Sequence, residues 1–240
     1  MDYSVLNMQL SFLGDFESLD ASSDVITKLF EAFKDNGFLP NTIQVLQVEQ
    51  PSNKTTIRLR PQLINSDSGY AINVLPDRID FAVNSRENTQ IVEQFESYIE
   101  ALKKVMITFA LNSNRLALTA TYQLNANQEQ SAKMKETLLP TFSYYKDNRA
   151  IEATAHNVSR PLIKIIDEPS EYCNVNTDVM FKSVEQDNSP DQVKTMVRFD
   201  INTLQENSAN RFDKNNICTF YRIAYQIMGK IVEDLVSICE

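Results

Sequence analysis

The chain has 240 residues, of which 42% are hydrophobic and 23% charged, and its formal net charge is −9. This composition is typical of a globular protein and excludes a disordered one. The negative charge argues against a dominant contact with nucleic acid or an anionic membrane, because both require a basic surface, although it leaves a local basic patch open.

Glycine and histidine are scarce, with four glycines and the single histidine His156. Phosphate-binding loops use glycine where the backbone approaches the ligand, and catalytic zinc sites usually need more than one imidazole. The sequence also lacks GxGxxG, GxxxxGK[ST], HExxH, CxxC and GxSxG patterns. We therefore expect no cofactor and no metal, and the composition favours a non-enzymatic protein.

The N-terminal region predicts a strand over 3–13 and a helix over Ser22–Asp35. Ser22 or Ser23 can cap the free amides, and Asn36-Gly37 can end the helix. The apolar face of this helix consists of Val25, Ile26, Leu29, Phe30 and Phe33.

Alternating apolar and polar residues predict antiparallel strands within 41–84. Ile57, Leu59 and Leu63 alternate with Arg58, Arg60 and Gln62. This pattern predicts that the apolar side chains are buried and that the polar ones face water.

A hairpin and a long helix are expected next. Pro76 fits the tight turn between strands 70–74 and 79–83. The helix is predicted over 88–111, since its apolar residues recur at intervals of three and four.

The second half repeats this order of elements, with a strand over 115–124, a helix over 128–138, strands within 149–203 and a helix over 216–239. We expect an α+β fold with antiparallel sheets and two long packed helices. The chain is predicted to be a single two-lobed domain, 1–240. Its halves, 1–112 and 113–240, leave open a duplicated strand–helix–strands–helix unit, which rests on element order alone.

Arg58 and Arg60 are the best local candidates for a binding site. Alternate residues of a strand share a face, about 7 Å apart, which suits gripping a carboxylate or phosphate. The alternative is charge pairing with Asp80 on a nearby strand.

His156 is the candidate for catalysis. It shares a strand face with Glu152, so it could act as a general base with Ser159 or a distant serine as the nucleophile. The alternative is a half-exposed histidine without a chemical role, and the missing nucleophile motif favours that alternative.

Three short segments carry a resemblance to known proteins: residues 72–81, 114–119 and 199–203. In these segments and in element order the chain resembles a sporadically distributed group of uncharacterised prokaryotic proteins, which has no established activity to transfer. In acidic composition and in long antiparallel strands followed by long helices, it is similar to the SecB-type export chaperones. This second similarity implies a chaperone-like function, but it carries no motif that would place client-binding residues.

Two classes of function remain. The first is a non-enzymatic intracellular binding or interaction protein that holds a protein partner through apolar helix or sheet surface, with a chaperone-like role as one option. The second is a hydrolase or transferase with a dispersed site that includes His156.

No apolar run is long enough to cross a membrane, and the N-terminus lacks the pattern of a signal peptide. We expect a cytoplasmic protein with reduced cysteines and a protein partner, and homo-oligomerisation stays open.

Overall fold

A computed structural model describes residues 2–49, 54–84, 93–139, 150–165, 170–186 and 189–239. The chain has mixed α and β structure, with a large antiparallel sheet and four α-helices among these residues. The first half contains β1 (Tyr3–Leu13), α1 (Ser23–Phe33), β2 (Leu39–Glu49), β3 (Lys54–Asn65), β4 (Tyr70–Val74), β5 (Arg78–Asn84) and α2 (Phe95–Phe109). The second half contains β6 (Arg115–Leu124), α3 (Gln128–Leu138), β7 (Glu152–Ser159), β8 (Leu162–Ile163), β9 (Glu171–Gln186), β10 (Ser189–Thr203) and α4 (Lys214–Ser237).

The sheet has the strand order β2-β3-β4-β5-β1-β6-β10-β9-β7, and β8 pairs with β9 beside this path. All of these pairings are antiparallel. The first strands of the two halves, β1 and β6, pair with each other at the centre. The last strands, β5 and β10, lie on their outer sides.

One face of the sheet carries the apolar side chains and is buried. In β6, Leu116, Leu118 and Ala120 are at most 1% exposed, whereas the residues between them are half-buried. This alternation is the period of a strand with one face in the core. The helices cover that face, and Phe220 and Tyr221 of α4 are fully buried.

The helices contact one another as well as the sheet. The rings of Phe95 in α2 and Tyr225 in α4 stack with centroids 4.3 Å apart. On the surface, Arg222 of α4 pairs with Glu96 of α2 at 2.7 Å. None of the helices in the described residues has the length and apolar character needed to cross a membrane.

Local signals explain where the helices begin and end. Asn127 before α3 and Asp213 before α4 both form a capping box, which satisfies free amides of the first turn. Ala110 ends α2 in the left-handed conformation, with φ 51°. The helix predicted over 88–111 thus ends earlier than expected, at Phe109, and its predicted start, 88–92, lies outside the described residues.

The prediction for the β3 side chains is wrong at three positions. Leu63 is buried as expected, but Ile57 and Leu59 are 63% and 52% exposed, and Arg60 is only 1% exposed. The physical reason is that β4 pairs with β3 only over residues 62–65, and β2 alone pairs with 54–61. The N-terminal part of β3 therefore extends past the neighbouring strand.

Candidate interaction surface

The part of β2 and β3 that extends past β4 forms an overhanging hairpin, defined here as residues 44–49 and 54–59. Its two strands pair with each other from Gln44↔Leu59 to Glu49↔Lys54. Strand β2 is the edge of the sheet, so no described strand pairs with its outer side. Along that outer side, β2 therefore presents backbone groups to which an added strand could pair.

An apolar patch covers one face of this hairpin and consists of Leu46, Ile57 and Leu59. Leu46 lies directly opposite Ile57, and Leu59 is on the same face two residues along β3. Leu46 is 69% exposed, so all three side chains have more than half of their surface in water. Contiguous exposed apolar side chains of this kind mark interaction surfaces more often than isolated ones do.

Arg58 and Arg60 lie on the opposite face of β3, and the structure gives them different surroundings. Arg58 is exposed and its guanidinium pairs with the carboxylate of Glu17. Arg60 is buried and donates to the backbone carbonyls of Phe16 at 2.6 Å, Glu17 at 3.1 Å and Val74 at 3.3 Å. Burial lowers the pKa of Arg60, and the nearby carboxylates of Glu17 and Asp20 partly oppose this. Arg60 therefore holds the segment after β1 against the sheet.

Asp80 does not pair with either of these arginines. It is 3% exposed, accepts a hydrogen bond of 2.6 Å from the Ser11 hydroxyl and pairs with Arg78 at 3.1 Å. Burial raises the pKa of Asp80, although Ser11 and Arg78 both lower it. The predicted alternative of a charge pair with Arg58 or Arg60 is wrong because Arg78 is the residue that reaches this carboxylate.

His156 lies on the open face of the sheet, where its ring contacts Asp178 rather than Glu152. The His156 Nδ1 atom is 2.5 Å from Asp178 Oδ1, and Arg198 donates to the other carboxylate oxygen at 2.5 Å. Burial alone raises the pKa of Asp178, but the hydrogen bonds from His156 and Arg198 lower it overall. Ser159, three residues along the strand, faces the opposite side, so the structure does not bring it to the imidazole.

The rest of this open face is polar and partly exposed, as expected for strands that stand in water. Its polar side chains hydrogen-bond to one another: the Asn174 amide donates to the Asn202 amide oxygen at 3.3 Å, and the Asn202 amide donates to the Asp200 carboxylate at 2.9 Å. Among the described residues, no group of three or more His, Cys, Asp and Glu side chains could hold a metal ion.

Sequence reasoning missed the apolar patch because the same alternation runs through all of β3. Periodicity identifies which side chains share a face, but it does not report whether another layer covers that face. The one available signal is the length of the predicted hairpin relative to β4, since five residues of β4 cannot flank the twelve residues of β3.

Comparison with known proteins adds no identity to this description. No protein-family model, no curated protein and no solved structure matches the chain.

Proposed function

We propose that the protein is a non-enzymatic binding protein that holds an extended, apolar polypeptide segment at the overhanging hairpin. The single observation behind this proposal is the apolar patch, whose three side chains are 52–69% exposed beside a strand edge that no described strand covers. An added strand could pair with the backbone of β2 while its apolar side chains cover the patch.

The energetics of the patch suit reversible binding. A fully buried Leu or Ile contributes about 1.5–3 kcal/mol relative to an exposed one. Because the three side chains are already partly covered, each could contribute about 1–2 kcal/mol on binding. Losses of translational, rotational and side-chain freedom offset much of this sum. The expected affinity is therefore moderate, as a chaperone-like protein that releases its client requires.

The other edge of the sheet offers a weaker surface. Val158 in β7 is 55% exposed, but its strand also carries Glu152 and the His156 that pairs with Asp178. A polar, charged edge disfavours the addition of an apolar strand. The hydrolase alternative lacks a nucleophile among the described residues, since His156 lies on an open face and its hydrogen-bond partner there is Asp178 rather than a serine.

Binding can be tested with a fluorescein-labelled peptide of twelve alternating valines and threonines, followed by fluorescence anisotropy. We expect Leu46→Lys and Leu59→Lys each to weaken binding about tenfold, because a buried Leu contributes roughly one factor of ten. The matched control is Leu162→Lys, at an apolar side chain that is 55% exposed on β8. This control should bind like the natural chain.

Two results would contradict the proposal. One is an equal loss of affinity in the control and in the patch variants. The other is a dimer in solution that Leu46→Lys dissociates while peptide binding is absent, which would make the patch a self-association surface. His156→Ala should leave peptide affinity unchanged.

We also infer that the two halves derive from one duplicated unit, each consisting of a strand, a helix, several strands and a helix. This inference is supported by the sheet order, in which β1 pairs with β6 while β5 and β10 lie on either side.

A cytoplasmic location is part of the proposed function. The free thiols of Cys173, Cys218 and Cys239 support this location, because reduced thiols are typical of the cytoplasm. The first two of these thiols are buried.

A further inference from the structure

A concave site, called the aromatic groove here, lies far from the apolar patch. It is bounded by the C-terminal end of α1, the turn between β3 and β4, and α2, and its volume is about 480 Å³. Pockets that bind small molecules typically have about 300–1,000 Å³. Along β3, Asn65 at the groove is about 26 Å from Ile57 in the patch, at about 3.3 Å per residue.

Five aromatic rings form the floor of the groove, and they pack on one another. Phe81 stacks on Tyr98 with centroids 4.9 Å apart, and Phe33 meets Phe38 edge to face at 5.6 Å. Tyr70 contacts Tyr98 at 5.1 Å. All five rings are at most 9% exposed, so packing fixes the shape of this surface before any ligand arrives.

The hydroxyl groups of Tyr70 and Tyr98 already have hydrogen-bond partners within the protein. The Tyr98 hydroxyl donates to the Tyr70 hydroxyl at 2.9 Å, and the Tyr70 hydroxyl donates to the side-chain oxygen of Gln94. Burial raises the pKa of Tyr98 far above its usual value, so the phenol stays neutral. The floor of the groove is therefore apolar and uncharged toward a ligand.

Lys104 supplies a positive charge at the rim. Its Nζ atom lies 5.1 Å from the centre of the Phe33 ring and donates a long hydrogen bond of 3.4 Å to Asn36. Neighbouring Lys103 pairs with Glu100 at 3.2 Å, whereas no carboxylate among the described residues lies within 4 Å of the Lys104 ammonium. The charge of Lys104 thus has no acidic counterpart in that part of the chain.

Ser68 provides an unused polar group in the same groove. Its Oγ atom is buried and has no hydrogen-bond partner among the described residues. A buried hydroxyl without a partner costs free energy, which a ligand oxygen or a water molecule can recover. Among the described residues, the groove therefore combines an apolar floor with a lysine that has no carboxylate partner and a hydroxyl that has no hydrogen-bond partner.

We propose that the aromatic groove binds a small amphipathic monocarboxylate, an alkyl or aryl acid. Its apolar part lies on the five rings, and its carboxylate pairs with Lys104. Glu100 also lines the groove, but it pairs with Lys103, so among the described residues the uncompensated charge of the lining is that of Lys104, which disfavours a cationic ligand. This site and the polypeptide surface are independent, so either can exist without the other.

Decanoate and decanol are the probes, compared by isothermal titration calorimetry at low ionic strength. They share an alkyl chain and differ in charge, so the lysine should act on decanoate alone. The natural chain should bind decanoate at least tenfold more tightly than decanol, since charge-assisted hydrogen bonds are stronger than neutral ones. Lys104→Met keeps an unbranched apolar side chain and should remove this preference.

The control is Lys28→Met, because Lys28 is an exposed helical lysine paired with Asp24 at 2.9 Å outside the groove. Ser68→Ala should weaken decanoate binding a few-fold, and Ala101→Phe, which fills the groove, should abolish binding of both probes. If Ala101→Phe fails to fold, the effect of Lys104→Met on decanoate affinity still tests the proposal. Lys104 is exposed, so its replacement leaves the core intact.

Three outcomes would overturn the proposal: no binding of either probe at millimolar concentration, equal affinity for decanoate and decanol, or a decanoate affinity that Lys104→Met leaves unchanged. Loss of decanoate binding in Leu59→Lys but not in Lys104→Met would assign the probe to the apolar patch and would also overturn it.

Discussion

Replacing Arg60 tests whether this side chain is a structural anchor or a ligand-binding group. We expect Arg60→Met to destabilise the fold strongly, and Arg58→Met to have little effect, although both residues lie on one face of β3. The difference arises because Arg60 is 1% exposed and bonded to three carbonyl oxygens, whereas Arg58 is an exposed partner of Glu17.

The magnitude follows from the three hydrogen bonds. Each bond to a charged group contributes about 1.5–3 kcal/mol, and the cost of burying the guanidinium offsets part of the total. A net loss of about 3 kcal/mol is expected for Arg60→Met, which retains most of the apolar stem. Exposed ion pairs contribute about 0.2–1 kcal/mol, which bounds the effect of Arg58→Met.

The assay is thermal unfolding followed by far-ultraviolet circular dichroism, with urea unfolding as a second measurement. In a domain of this size, 1 kcal/mol corresponds to about 2–4 °C in Tm. Arg60→Met should therefore lower Tm by about 6–12 °C. Equal Tm values for the two variants would refute the reasoning, because they would show that the buried bonds contribute no more than the exposed pair.

Three further predictions concern the core, a helix end and a buried acid. Phe220→Ala should cost about 3–5 kcal/mol in urea unfolding, against less than about 1 kcal/mol for the exposed Ile107→Ala, and similar losses would contradict the described packing of α4. Ala110→Gly should raise the free energy of unfolding by about 0.5–1 kcal/mol, since glycine adopts the left-handed conformation without strain, and a lower Tm would count against it. Burial raises the pKa of Asp80 above the 3.8 of the unfolded chain. The folded chain therefore holds this proton more tightly than the unfolded chain does, and the free energy of unfolding falls as the pH rises above 3.8. Asp80→Asn should remove this decrease, and urea titrations at several pH values that show an unchanged slope would exclude Asp80 as its source.

The helices were predictable because their signals are local. The helix expected over 128–138 has those bounds, and Asn127 begins it with a capping box formed with Gln130. The hairpin around Pro76 is confirmed by the pairing of β4 with β5. In both cases a few neighbouring residues determine the backbone conformation, so no distant part of the chain is needed for the prediction.

The candidate site depends on distant residues and was therefore not predictable. Ile57 and Leu63 follow the same alternation, yet only Leu63 is covered, because coverage depends on where β4 and α1 end. Arg60 donates to the backbone carbonyls of Phe16, Glu17 and Val74, and a search for oppositely charged side chains does not identify backbone acceptors. His156 likewise reaches Asp178 through the pairing of β7 with β9.

The central position of β1 has a consequence for how the protein is made. The ribosome delivers β1 well before its two neighbours, β5 and β6, which follow only after most of the first half has emerged. The β2–β3 hairpin, whose strands are joined by a short connection, can pair much sooner. During synthesis the middle of the sheet is thus completed after its margin, and a chain stalled before residue 115 leaves one side of β1 open to pairing with another nascent chain.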